Sequence, residues 1–259
     1  MKILTAGGLL VRPALVPMKI SRVAVIVGAS LSCFASGAVL FSDDFGGSVV
    51  DSSKWNVSLP RVSSSVTENN GSLTLSDGAI MTTVQNFTAP YTLTGSFSYL
   101  GYNYAENFFD IALRNNGLTS PNDVLGVGSN YYVPQGLNIF FTYPDYTHDN
   151  NNVLLLDMGA TGTWTYVAGG YAVTNYDSPN LFSITDNGST ISVELNGAQV
   201  FSAADSFQAG NQITIKSGSG VGQFALVDFV QVIPEPSSLL LCGLSTLGLC
   251  SRRKRQGSL

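Results

Sequence analysis

From Leu181 to Phe201 the chain alternates apolar and polar residues in three short runs, separated by Asn187-Gly188 and Asn196-Gly197. Alternation with period two sends every second side chain to one face, the pattern of a strand buried on one side. Asn-Gly accepts the positive φ that a tight turn between antiparallel strands demands. The segment therefore reads as a three-stranded meander.

The same grammar runs through residues 39–232. Gly71–Ser76 and Leu93–Tyr99 alternate, and Phe109–Leu113, Leu137–Thr142, Val153–Leu156, Thr163–Val167, Gln212–Lys216 and Phe224–Val232 are further strand candidates. Asp77-Gly78 and Asn116-Gly117 add turn signals of the hairpin kind. Nothing in this part has the spacing of a long amphipathic helix. Many short strands rich in Ser, Thr and Gly predict an all-β fold, a single β-sandwich over residues 39–231. Of the three cysteines, Cys33 lies before this domain and Cys242 and Cys250 after it. No disulfide can staple the domain and no thiol can serve it as nucleophile or ligand, so burial must stabilise it.

Three stretches together resemble concanavalin A-like (laminin G-like) jelly rolls. They are the meander, Phe41-Ser42-Asp43-Asp44-Phe45 with Ser53-Lys54-Trp55, and the closing run Phe224–Val232. The resemblance implies neighbouring first and last strands, and so adjacent domain ends. It also implies relatives that include lectins, laminarinase-like hydrolases and structural modules, so function has to be argued from the site.

The flanks carry addresses. Counting from Met18, which is expected to be the true start, Lys19 and Arg22 precede an apolar stretch Val23–Ala35 and the small residues Ser36-Gly37-Ala38. That is the layout of a secretory signal peptide within a leader of residues 1–38, implying the Sec machinery and cleavage after Ala38. At the other flank, Pro234-Glu235-Pro236 is followed by an apolar run over 237–250 and then Arg252-Arg253-Lys254-Arg255. Each proline fixes φ and lacks a donor, so the triplet is expected to be an extended, exposed break behind the domain. Fourteen helical residues reach about 21 Å against a hydrocarbon core of roughly 30 Å. Snorkelling Arg and Lys extend the reach, making a short transmembrane helix with a basic stop. Residues 232–255 look like the PEP-CTERM sorting signal of exopolysaccharide-making Gram-negative bacteria. That resemblance implies export, transient anchoring in the inner membrane and processing by an exosortase, with the cell surface or extracellular matrix as destination.

Charge narrows the partners. Residues 39–233 hold four basic residues (Lys54, Arg61, Arg114, Lys216) against sixteen acidic ones, a balance of −12. A phosphate backbone would be repelled, which argues against nucleic acid. Calcium and neutral sugars fit better.

Catalytic signatures are weak. Hydrolases of the resembled fold take their carboxylates from Glu-x-Asp-x-x-Glu on one strand, and Glu68, Glu106 and Glu194 do not stand in that pattern. Glu106-Asn107-Phe108-Phe109-Asp110 comes nearest, and reads as a strand-edge charge beside an outward Asp. The one histidine, His148, sits in a polar loop without triad partners. Gly218-Ser219-Gly220-Val221-Gly222 imitates a phosphate loop but precedes a strand, so it reads as a hairpin loop. No enzymatic activity is expected.

Two binding features stand out. Asp145, Thr147, Asp149 and Asn151 alternate through one oxygen-rich loop, a ligand set suited to calcium, and Asp43-Asp44 offers a second cation site or a turn cap. Tyr102 and Tyr104, with Tyr131 and Tyr132, pair aromatic faces with the amides of Asn103 and Asn130, the mixture that a pyranose ring needs. The expected function is a non-enzymatic envelope or matrix protein that binds exopolysaccharide in a biofilm setting. The alternatives are a glycan hydrolase with carboxylates from separate strands and a purely structural coat protein.

Overall fold

The computed structural model describes residues 38–69, 71–100, 108–122, 131–142, 150–159, 162–175, 178–218 and 224–235. In chain order the strands are β1 (Phe41–Asp43), β2 (Trp55–Ser58), β3 (Ser65–Glu68), β4 (Leu73–Ser76), β5 (Ile80–Thr83) and β6 (Tyr91–Leu100). Next come β7 (Phe108–Asn115), β8 (Thr119–Asn122), β9 (Tyr131–Pro134), β10 (Gly136–Thr142), β11 (Val153–Met158) and β12 (Trp164–Gly170). The series ends with β13 (Asn180–Asp186), β14 (Thr190–Leu195), β15 (Ala198–Ala204), β16 (Gln212–Ser217) and β17 (Phe224–Pro234). No helix long and apolar enough to cross a membrane occurs among the described residues.

The strands stack as two antiparallel sheets. One has eight strands, ordered β15-β14-β13-β6-β17-β4-β3 with β1 also on β17; the other has seven, ordered β12-β11-β10-β7-β16-β5-β2. β8 and β9 form a separate two-stranded ribbon. The meander is β13-β14-β15, and its alternation decides which face is buried: Phe182, Ile184, Ile191, Val193 and Leu195 point into the main core. There they meet the seven-stranded sheet through packed rings, Phe97 lying 4.8 Å from Phe109 and Phe141 lying 6.0 Å from Phe182, centroid to centroid. Gly95 is required at this contact, because a Cβ there would fall 2.4 Å from the Phe182 ring and 2.7 Å from the Phe229 carbonyl oxygen. β1 pairs with β17, Phe41 opposite Val232, so the two ends of the domain are adjacent.

One buried polar clasp ties the sheets together. Arg114 of β7 donates through Nη2 and Nε to the two carboxylate oxygens of Asp186 on β13, at 2.6 and 2.9 Å. Its remaining Nη1 donates to the carbonyls of Asp205 and Phe207.

Two turn readings change. Asn187-Gly188 and Asn196-Gly197 join paired neighbours as expected, but Asp77-Gly78 carries the chain from β4 in one sheet to β5 in the other. Both residues still adopt positive φ, so the dihedrals are those of a tight turn while the strands it joins are not partners. Likewise β16 and β17 belong to different sheets, so the glycine-rich stretch after β16 connects layers and is not a hairpin loop.

β7 and β10 are buried along their whole lengths. The reason is a third layer. Phe108, Phe140, Leu154, Leu156 and Met158 on the outer face of the seven-stranded sheet form a second apolar cluster with Val133 of β9, so the β8-β9 ribbon covers part of that face. Asp110, expected to point outward, does leave the main core but is completely buried beneath this layer.

Candidate functional site

The outer face of the seven-stranded sheet concentrates the unusual chemistry. Phe109, Ile111 and Leu113 enter the main core, so Phe108, Asp110 and Ala112 of β7 take the opposite face. Register then sets their neighbours: Lys216 on β16 and Phe140 on β10 stand opposite Asp110, and Thr214 and Asn138 stand opposite Ala112. Thr214 in turn bonds Thr82 of β5, hydroxyl to hydroxyl, at 2.9 Å.

Asp110 and Lys216 are both completely buried. The Lys216 ammonium sits 4.5 Å over the Phe108 ring and donates to the Ser217 carbonyl at 3.1 Å. Neither Asp110 oxygen, nor the side-chain oxygen of Asn138, accepts a hydrogen bond among the described residues. Burial pushes the Asp110 carboxyl up to about 7, against the pull of Lys216. Burial likewise brings Lys216 down to about 8, opposed by Asp110 and assisted by the positive charge of Arg61. Among the described residues of this sheet, Asp110 is the one carboxylate on the outer face.

Beside the ribbon an open cleft of about 420 Å³ is walled by Pro60, Arg61 and Val62 on one side and Tyr132 on the other. Across the same face, on edge strand β12, Trp164 stands opposite Met158 and Tyr166 opposite Leu156. The two rings therefore share the outer face, about 7 Å apart along the strand. They remain 36% and 39% exposed. Tyr166 accepts on its hydroxyl from the Asn151 side-chain amide at 3.3 Å. Two partly exposed aromatic rings thus stand on this face, with an amide beside one of them.

Of the residues singled out from sequence, Tyr102, Tyr104, Asp145 and Asp149 lie outside the described residues, and Tyr131 is placed as backbone at the start of β9. Tyr132 is half-buried in the cleft wall and Asn151 half-buried beside Tyr166. Phe108 and Thr142, the described residues next to 101–107 and 143–149, are direct cross-strand partners. Trp164 and Tyr166 were not singled out. Their signal is the spacing itself, since aromatics two apart in a strand share a face.

Asp43 serves the fold. Its carboxylate accepts from the Trp55 indole at 2.7 Å and the Phe45 amide at 3.3 Å, and faces the Lys54 ammonium at 3.2 Å. Asp44 accepts from the Gly46 amide, so the pair caps a turn. Among the described residues no group of three or more His, Cys, Asp or Glu is arranged to hold a metal ion. Glu68 is buried and accepts from the Gly47 amide, while Glu194 is exposed on β14. A second, smaller cleft of about 190 Å³ lies against Tyr91, Arg114 and Asp186. Arg114 is already spent on Asp186 and two carbonyls, so this end is braced rather than open to an anion. Burial holds the Tyr91 hydroxyl well above its ordinary value, and burial with the nearby Asp205 carboxylate raises Asp157 to about 7.

The Pro-Glu-Pro stretch also differs from expectation. The domain was bounded at residue 231, yet β17 continues through Pro234, with Ile233 opposite Thr92 and Pro234 opposite Tyr91. A proline is accommodated because it is the last residue of the strand, beyond the point where β1 pairs. Glu235 is half-buried, whereas Pro236 and Arg252, Arg253, Lys254 and Arg255 lie outside the described residues.

Residues 232–255 match the family description "PEP-CTERM protein-sorting motif". No curated protein matches this chain. Among solved structures, the exoplasmic/lumenal domain of VIP36, in a form bound to Ca2+ and Man3GlcNAc, is 14% identical with a TM-score of 0.56, covering 74% of this chain and 89% of its own. A Bacillus subtilis protein of unknown function with a galectin-like fold is 12% identical with a TM-score of 0.54, covering 76% and 96%. A structure described with endo-acting O-glycanases of the human gut microbiota that initiate mucin breakdown is 13% identical with a TM-score of 0.51, covering 75% and 98%. At such identities the likeness is one of fold. The chain is thus an all-β jelly roll of the galectin and concanavalin A-like kind that carries a PEP-CTERM sorting motif at residues 232–255, the mark of an exported, sorted protein.

Proposed function

We propose that this protein binds polysaccharide, without cleaving it, in the envelope or extracellular matrix. The observation that carries the reading is the exposed Trp164–Tyr166 platform with Asn151 at its border, on the outer face of the seven-stranded sheet. Flat rings receive the C–H face of a pyranose, and an amide serves its hydroxyls. Tyr102, Tyr104, Tyr131 and Tyr132 are proposed as further sugar contacts, with the amides of Asn103 and Asn130 among them. Asp145, Asp149 and Asn151 are the proposed calcium ligands, a metal that the solved VIP36 domain carries together with a glycan. In this account residues 1–38 are a Sec leader, and residues 237–250 anchor the chain in the inner membrane until an exosortase acts near Pro234-Glu235-Pro236.

A second reading has one observation in its favour. Burial raises Asp110 to about 7, the range of a general acid, although the side chain is completely covered and lines neither of the clefts described above. Retaining hydrolysis needs a second carboxyl about 5 Å away, and the described part of this face supplies a lysine beside Asp110 instead. Titrating purified domain with the host's exopolysaccharide, with and without a calcium chelator, tests the first reading. New reducing ends after incubation would favour the second.

A further inference from the structure

The residues that open the sorting motif are held by the folded domain. Beyond the β17–β6 ladder, the Glu235 amide donates to the Pro90 carbonyl at 3.3 Å. The Glu235 carboxylate accepts from the Thr92 hydroxyl. Thr92 Oγ1 also lies 2.8 Å from Thr185 Oγ1. A threonine hydroxyl has one proton, and Thr92 gives its own to the carboxylate, so Thr185 donates to Thr92. Two hydroxyls on β13 and β6 thus converge on the one acidic residue of the motif.

An enzyme that processes a chain must take the substrate extended, with its backbone groups available. Here Ile233 and Pro234 sit in a strand ladder and the amide of Glu235 is already committed. We propose that Thr92, backed by Thr185, is a positioning residue that keeps the motif glutamate docked on the rim of the sandwich, so that processing waits on release of Glu235 and the end of β17. The inference rests on the sorting reading of residues 232–255. It goes beyond that reading by making the folded domain a gate on its own processing.

The test uses the full chain in a host that carries an exosortase, following conversion of precursor by pulse–chase, alongside hydrogen exchange of the Glu235 amide in the purified full chain. Thr92→Val keeps the shape and removes the hydroxyl; Thr92→Ser restores it; Thr94→Val changes the same face of β6 one step away. Hydrogen bonds to charged groups set the scale. Thr92→Val should speed Glu235 exchange roughly 10- to 100-fold and accelerate conversion, while Thr92→Ser and Thr94→Val behave as the native chain. Unchanged exchange in Thr92→Val, or faster exchange with unchanged or slower conversion, overturns the proposal. Should Thr92→Val not accumulate as folded protein, Thr185→Val is read by the same criteria. A native chain left unprocessed would defeat the sorting reading itself, and the exchange measurement would still decide whether the docking exists.

Discussion

Replacing Lys216 with methionine isolates the buried pair on the outer face. Methionine matches the length of the lysine stem, so the change removes the ammonium and little volume. In the native protein Asp110 titrates near 7 instead of 3.8, with Lys216 the charge that holds it from rising further. Without that charge the carboxyl lies among apolar groups with no hydrogen bond, and its folded value must climb beyond 7. A carboxyl with a higher value folded than unfolded stabilises most at low pH and loses that contribution as pH rises through the folded value. In the native protein this loss ends near 7; in Lys216→Met it continues, at about 1.4 kcal/mol per pH unit. The lysine acts in the same direction. Its folded value is depressed to about 8, so it adds stability to the native chain as pH rises beyond that point. Lys216→Met should therefore be within about 1 kcal/mol of native at pH ~5.5 and about 3 kcal/mol less stable at pH ~8.5, approaching the cost of breaking a buried ion pair. Urea unfolding of the purified domain at both pH values reads this directly. Adding Asp110→Asn should erase most of the deficit at the higher pH. A deficit of equal size at both pH values, or a larger one at the lower, would refute the reasoning.

Other perturbations probe the frame. Arg114→Met should cost about 3–5 kcal/mol in urea unfolding, because it strands the fully buried Asp186 carboxylate without its partner. Gly95→Ala should cost about 1–3 kcal/mol, since the added methyl meets Phe182 and the Phe229 carbonyl, and a scan of thermal unfolding would show it. Trp164→Ala should leave unfolding within about 0.5 kcal/mol of native, because the ring is exposed at an edge strand and lies outside both apolar clusters.

Much of the sandwich was legible because alternation and turn chemistry are local. Each strand candidate from Leu93 onward corresponds to an observed strand, and the two Asn-Gly turns of the meander join β13, β14 and β15 as written. Less legible was anything that depends on what lies across the sheet. Ile80-Met81-Thr82-Thr83 is buried on both sides and so shows no alternation, which left β5 unread. Asp77-Gly78 shows that turn dihedrals say how a chain reverses, not which sheet the next strand joins. The burial of Asp110 needed a third layer, the β8-β9 ribbon, whose short strands carry no strong periodic signal. Arg114 and Asp186 stand 72 residues apart, and no local pattern announces that pair. Trp164 and Tyr166, by contrast, were there to be read as two aromatics on one face. Pro234 misled in the other direction, because a proline bars the interior of a ladder and not its final position.

The central claim, a sugar-binding platform on the outer face of the seven-stranded sheet, is tested most directly by calorimetric titration of native domain and the Trp164→Ala/Tyr166→Ala double variant with the host's exopolysaccharide. Stacking is worth roughly 0.5–1.5 kcal/mol per ring, so the double variant should bind about tenfold or more weakly while unfolding like the native domain. Equal binding by the two proteins, or no binding by the native one, would contradict the account.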